Sequence, residues 1–127
     1  MTMPDYADPP FACPPDVVLD LPPPVSVNKL RRIDWHGAKR AKNWRRVANG
    51  YLLMLKVKPT KIPRFEILMV LDESTVRCDA DNAVKMVVDY LRLVEVIEND
   101  SPKHMRRVVV EWGDAPLGCR VTVRPCA

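Results

Sequence analysis

Arg77-Cys78-Asp79-Ala80-Asp81-Asn82-Ala83-Val84-Lys85 is the stretch on which the reading of this chain turns, with Asp89 beyond it and Asn99-Asp100 further on. It reads as the end of a strand running into a helix. Asp79 and Asp81 flank a single residue, so in extended backbone both side chains leave the same face. Asp81 or Asn82 is placed to cap the helix that follows. Lys85 and Asp89 then fall one and two turns beyond Asp81, on roughly the same side. Two carboxylates held this close repel unless a cation lies between them, and hard divalent ions such as Mg2+ prefer carboxylate oxygens. A lysine beside such a pair steadies an anionic substrate, so the grouping points to metal-assisted chemistry on a phosphate. The plain alternative is a capping turn, an ordinary use of Asp-x-Asp-Asn before a helix. A DxD alone favours that alternative; the rest of the pattern moves the balance toward chemistry.

Upstream, Arg64 to Glu73 alternates as a strand, with Phe65, Ile67, Met69 and Leu71 on one face and Glu66, Leu68 and Val70 on the other. Gly37 to about Lys58 is helical: Ala41, Trp44, Ala48, Tyr51, Leu52 and Leu55 recur at spacings of three and four and form an apolar stripe. Trp44 belongs to that stripe and reads as core rather than as a base-stacking platform. Val17 to Leu21 is a short strand, stopped by Pro22-Pro23-Pro24. Downstream, the second helix covers about Asp81 to Val94, with Val84, Val87, Val88 and Leu91 as its buried stripe. Met105 to Trp112 and Arg120 to Arg124 are the closing strands. The order β-loop-α-β-α-β-β predicts an α+β fold: a single domain over 16–127, with two helices against one mixed sheet, preceded by a loose arm over 1–15.

The chain's 127 residues, 47% of them hydrophobic, suffice for one real core. The formal charge of +4 hides an asymmetry. Between Lys29 and Arg64 there are twelve Lys or Arg and one acid, Asp34; the remainder carries eight basic and fifteen acidic residues. A basic segment beside an acidic pocket suits a protein that holds a polyanion with one part and a metal with another. A solvated helix face is the simpler use of such a run, but its one-sidedness favours DNA or RNA. The four cysteines form no CxxC pair and there are two histidines, which argues against a structural zinc site. No signal peptide or membrane-length apolar run is legible, so a cytoplasmic protein with reduced thiols is expected.

With Asp79-x-Asp81-Asn82-x-x-Lys85-x-x-x-Asp89-x-Leu91 and then Asp100, the chain resembles the RusA family of Holliday junction resolvases, small endodeoxyribonucleases of prophages and bacteria. Pro23-Pro24-Val25-Ser26-Val27-Asn28 resembles the family's proline-proline-serine-x-asparagine loop, with Val25 as an extra residue. Arg106-Arg107-Val108-Val109-Val110 and Arg120-Val121-Thr122-Val123 resemble its closing strands. The likeness extends from about Val17 to Arg124. Asn99 stands where an aspartate is common, and Glu95 where a glycine is common.

The resemblance implies that Asp79, Asp81 and Asp100 bind Mg2+, with Mn2+ as a substitute, and that Lys85 is the catalytic lysine. It implies a homodimer with two active sites for the opposed strands of a four-way DNA junction, no organic cofactor and no membrane. Ser26, Asn28, Lys29, Arg31, Arg32, Lys39, Arg40, Lys42, Arg45 and Arg46 are the candidate DNA-binding residues. The candidate dimer surfaces are the segment from Met105 to Val123 and the second helix. The expected activity is paired, symmetric phosphodiester cleavage in recombination and repair. The alternatives are a branched-DNA-binding protein that does not cut, and a metal nuclease of flaps or forks. For Lys85 itself the competing reading is a helix-surface lysine paired with Asp81 or Asp89.

Overall fold

The structure, a computed structural model, describes residues 15–25 and 35–126, with side chains in the second segment described from residue 38 onward. Six elements follow in order: β1 (Val17–Leu21), α1 (Trp35–Leu55), β2 (Phe65–Leu71), α2 (Ala80–Leu93), β3 (Met105–Trp112) and β4 (Cys119–Pro125). The fold is a small single-domain α+β arrangement with a four-stranded mixed sheet of order β1-β4-β2-β3. β2 is central. It pairs antiparallel with β4, from Phe65 opposite Pro125 to Leu71 opposite Cys119, and parallel with β3. β1 lies antiparallel on the far side of β4.

The alternation along β2 does what its sequence predicts. Phe65, Ile67, Met69 and Leu71 are buried, while Leu68 on the opposite face is partly exposed. Beneath them the core takes Ala41, Trp44, Ala48 and Leu52 from α1 and Ala83, Met86, Val87, Val88, Tyr90 and Leu91 from α2. The helices therefore share the face that the inward residues of β2 define. The other face is lined by cross-strand ion pairs, Asp20–Arg120 at 2.8 Å and Glu66–Arg107 at 3.5 Å, with Asp16–Arg124 at 3.3 Å beyond them.

Both helices end in the same turn. In α1 the Val57 amide bonds to the Leu52 carbonyl and the Lys56 amide to that of Leu53, with Lys56 at φ 55°. In α2 Val96 bonds to Leu91 and Glu95 to Arg92, with Glu95 at φ 63°. This is the Schellman arrangement, which places its third-from-last residues under a left-handed one. Glu95 thus adopts the conformation that glycine adopts easily. The turn in α1 also corrects the predicted stripe: Leu55 lies where the chain reverses and is 50% exposed, as are Leu53 and Met54 beside it to a greater extent.

Tyr90 was outside the predicted α2 stripe and is one of the most buried residues on that helix. Its ring meets Trp44 edge to face at 5.0 Å, and its hydroxyl donates to Asn49 Oδ1 at 2.6 Å. Burial pushes the Tyr90 phenol up to about 12, and burial likewise pushes the Cys119 thiol up to about 12. A raised folded-state pKa means that the neutral form is held. That contribution is complete below the unfolded values of 9.0 and 10.0 and is lost as pH rises toward 12. The thermal midpoint is therefore expected to fall across this alkaline window. Tyr90→Phe should flatten the upper part of the fall, at the cost of about 1 kcal/mol for the lost Asn49 bond. A midpoint unchanged from pH 8 to 11.5 would contradict the buried, neutral assignment.

Cys78, Cys119 and Cys126 are free thiols. Among the described residues no helix is long and apolar enough to cross a membrane.

Candidate functional site

The chain leaves β2 through a tight turn. Asp72 Oδ1 accepts hydrogen bonds from the Ser74 amide (3.0 Å) and hydroxyl (2.8 Å), and the Asp72 carbonyl accepts from Thr75 and Val76. The Ser74 bonds hold the Asp72 carboxyl below its ordinary value. After this turn α2 starts at Ala80, so the cap is Asp79 and not Asp81 or Asn82. The reason lies in the backbone: Asp79 is extended (φ −69°, ψ 157°) and its carbonyl takes the first helical bond, from Ala83 at 3.0 Å. Asp81 is consequently inside the first helical turn, and the two acids do not share one stretch of extended strand.

Their carboxylates remain neighbours of one thiol. Burial pushes the Cys78 thiol up, and Asp79 and Asp81 push it the same way. The Asp79 side chain makes no cap hydrogen bond. Among the described residues neither carboxylate takes part in a hydrogen bond or ion pair. The first turn of α2 thus presents two unneutralised acids beside the positive end of the helix macrodipole, which tolerates them.

The Pro22–Val25 segment straps this corner. The Pro22 carbonyl accepts from Trp44 Nε1 at 2.9 Å, the Pro24 carbonyl from Cys78 Sγ at 3.5 Å, and the Val25 amide points to Met86 Sδ at 3.3 Å. The proline run joins α1, α2 and the acidic stretch in one contact. Ser26, Asn28, Lys29, Arg31 and Arg32 lie outside the described residues.

Lys85 is one turn on from Asp81, strongly exposed, and bonds Asp89 at 3.3 Å. That is the pairing the competing reading foresees. Asp100 is held elsewhere. Arg92 donates to it at 3.1 Å and lies 3.8 Å from Asp89. Asn99 Oδ1 accepts the Asp100 amide at 2.7 Å, a bond an aspartate at that position would also make. The Glu95 turn sends the chain to a parallel bridge between Ile97 and Ile62, just before β2, so Asp100 belongs with the C-terminal end of α2. Eleven residues separate Asp81 from Arg92 along one helix, roughly 16 Å of rise. Among the described residues no three His, Cys, Asp or Glu side chains are grouped to hold a metal ion. Asp79 and Asp81 suit a cation that keeps its waters and takes one or two carboxylates, as Mg2+ does. Among the described residues the expected set of Asp79, Asp81 and Asp100 is not brought together.

A groove of about 600 Å³ lies between the helices. Its lining includes Trp44, Met86, Tyr90 and Leu93, with Arg45, Lys85 and Arg92 among the charged residues and Asn82 at one end. Of the basic residues on α1, Lys39, Arg40, Lys42 and Arg46 are exposed and Arg45 is half-buried in this groove. Arg92 escaped the sequence reading. Its spacing of three from Asp89 signals an ion pair, but nothing local signals Asp100. No protein-family model matches the chain, and no curated protein matches it significantly.

Proposed function

We propose that the chain is an Mg2+-dependent, structure-selective endodeoxyribonuclease that resolves four-way DNA junctions by paired symmetric cleavage, acting in the cytoplasm as a homodimer. The observation that carries this reading is the pair of unneutralised acids, Asp79 and Asp81, at the start of the helix whose exposed Lys85 lines a groove together with Arg45 of the basic helix α1. Asp79 and Asp81 supply hard oxygen donors. Lys85 has only an exposed partner in Asp89 and is free to exchange it for a phosphate, since such pairs contribute about 0.3–0.5 kcal/mol. Lys39, Lys42, Arg45 and Arg46 supply charge for the backbone of the junction arms, so affinity falls steeply with salt. Mg2+, when bound, supplies an activated water and offsets charge on the phosphate.

The separation of Asp100 from the other acids favours a second reading, a protein that binds branched DNA without cutting it. A labelled synthetic four-way junction, a flap and a fork, each incubated with Mg2+, decide between them. Paired nicks confined to the junction support the resolvase. Binding without nicks supports the second reading, and faster cutting of flaps or forks gives the preference to a different branched substrate. Within the same assay, Lys85→Ala should lower turnover by a factor on the order of 10²–10³. Its thermal midpoint should move by no more than about 2 °C, the scale of a lost surface pair. A large drop in midpoint with normal turnover would reduce Lys85 to a structural ion-pair partner.

A further inference from the structure

Beyond Arg46, α1 keeps apolar side chains on its outer side as well as its inner one. From Val47 to Leu55 it carries no charged residue, yet from that stretch the core takes only Ala48 and Leu52. Leu53 and Met54 are 80% and 77% exposed, and Val47 and Leu55 are exposed with them. Leu53 also walls a concavity of about 600 Å³, together with Asn49, Leu52, Lys56, Val57 and Lys58. A helix that is apolar all round is normally covered, and contiguous exposed apolar surface with a polar rim marks an interaction site. Here the rim has one sign. Lys56 and Lys58 line the concavity and no acidic side chain does. Exposed Arg46, seven residues before Leu53, stands on the same side of the helix. α1 holds no acidic residue, and among the described residues neither Lys56 nor Lys58 has an acidic partner.

We infer that this end of α1 is a docking surface for a partner protein, which presents a short acidic segment with apolar side chains at helical spacing. The apolar side chains of that segment enter the concavity and cover Leu53 and Met54, and its carboxylates meet Lys56, Lys58 and Arg46. Charge and shape together select this occupant. A DNA arm satisfies the cations but leaves Leu53 and Met54 in water. A second copy of this chain sets cations against cations when the same patch meets itself about a two-fold axis. A planar anionic membrane leaves the concavity unfilled. The inference is independent of the nuclease reading, since none of its residues belongs to the acidic stretch.

The probe is a fluorescein-labelled peptide with leucines at i, i+3, i+4 and i+7 and glutamates between them, titrated with the full chain and followed by anisotropy. Saturable binding is expected. Leu53→Ser/Met54→Ser should weaken it at least about tenfold. Lys56→Gln/Lys58→Gln should weaken it several-fold and make it less sensitive to salt. These side chains are exposed, so the thermal midpoint of either variant should stay within about 5 °C of wild type. Peptides with glutamine for every glutamate, or serine for every leucine, should each bind more weakly than the probe, because the surface needs both kinds of group. Absence of saturable binding, or binding that Leu53→Ser/Met54→Ser retains, overturns the inference. The same chains are compared on a synthetic four-way junction, on phosphatidylserine vesicles and in a light-scattering dilution series. Junction affinity, vesicle binding or self-association that falls with Leu53→Ser/Met54→Ser as far as peptide binding does also overturns it, since DNA, a membrane or a second copy is then the occupant.

Discussion

Asp79→Asn should abolish Mg2+-dependent cleavage of a four-way junction while leaving the fold and junction binding in place. The structural cost is small because this carboxylate makes no cap hydrogen bond and is exposed, and asparagine caps helices as well as aspartate does. The lost charge beside the α2 N-terminus costs about 0.3–1 kcal/mol. A midpoint lowered by more than about 6 °C would exceed that cost and point to a structural role. The chemical cost is of another size. Under the proposed function, losing one of two hard donors would remove both the activated water and the charge offset at the phosphate. Cleavage should fall by more than about 10³, beyond the loss of a single electrostatic stabiliser. Junction affinity should hold or rise, since the basic residues of α1 are untouched and one repulsive charge is gone. Gel-shift and cleavage assays on one substrate give both numbers, and wild-type turnover in this variant would remove Asp79 from the site.

The second large effect falls on Gly118→Ala, far from Asp79 in sequence. Gly118 has φ +116°, a region that side chains rarely adopt. An added Cβ would lie 2.5 Å from Pro23 Cγ and 2.8 Å from the Pro23 backbone nitrogen. Neither atom can yield cheaply, because Pro23 lies in the strap that accepts from Trp44 at one end and contacts Met86 at the other. Gly118 also accepts the Asp72 amide at 3.0 Å, which fixes the turn leading to α2. Strain and overpacking together should cost about 2–4 kcal/mol, a large share of the stability of a domain this size. The thermal midpoint should drop by about 10 °C or more. Gly50→Ala is the control: its Cβ meets nothing within 4 Å in an exposed part of α1, so the same substitution should stabilise by about 0.4–1 kcal/mol. Scanning calorimetry on the two variants should give opposite signs; equal midpoints would refute the close approach at Pro23.

The order of elements was legible in the chain because each carries its own period. Phe65, Ile67, Met69 and Leu71 alternate, and Val87, Val88 and Leu91 recur at helical spacing, so local pattern and final burial agree. Val17–Leu21 and Met105–Trp112 came out at the boundaries their residues suggest. The chemistry-bearing types and the Lys85–Asp89 pair were legible for the same reason, since residues four apart on a helix must meet.

What escaped depends on long-range placement. Periodicity shows that α2 has an inner face; it does not show that Tyr90 meets Trp44, because that contact is set by where α1 lies across the sheet. The cap is Asp79 because its backbone is extended and its carbonyl takes the first helical bond, from Ala83, which residue type alone does not show. The three acids read as one set in a line of letters, yet α2 is a rigid rod and its Schellman turn leaves Asp100 at the far end, on Arg92. Residue type and spacing determine which groups are available and which face each shares within an element. Distance between elements is decided only when the whole chain buries its apolar faces at once, and the place of Asp100 relative to Asp79 and Asp81 is settled at that level.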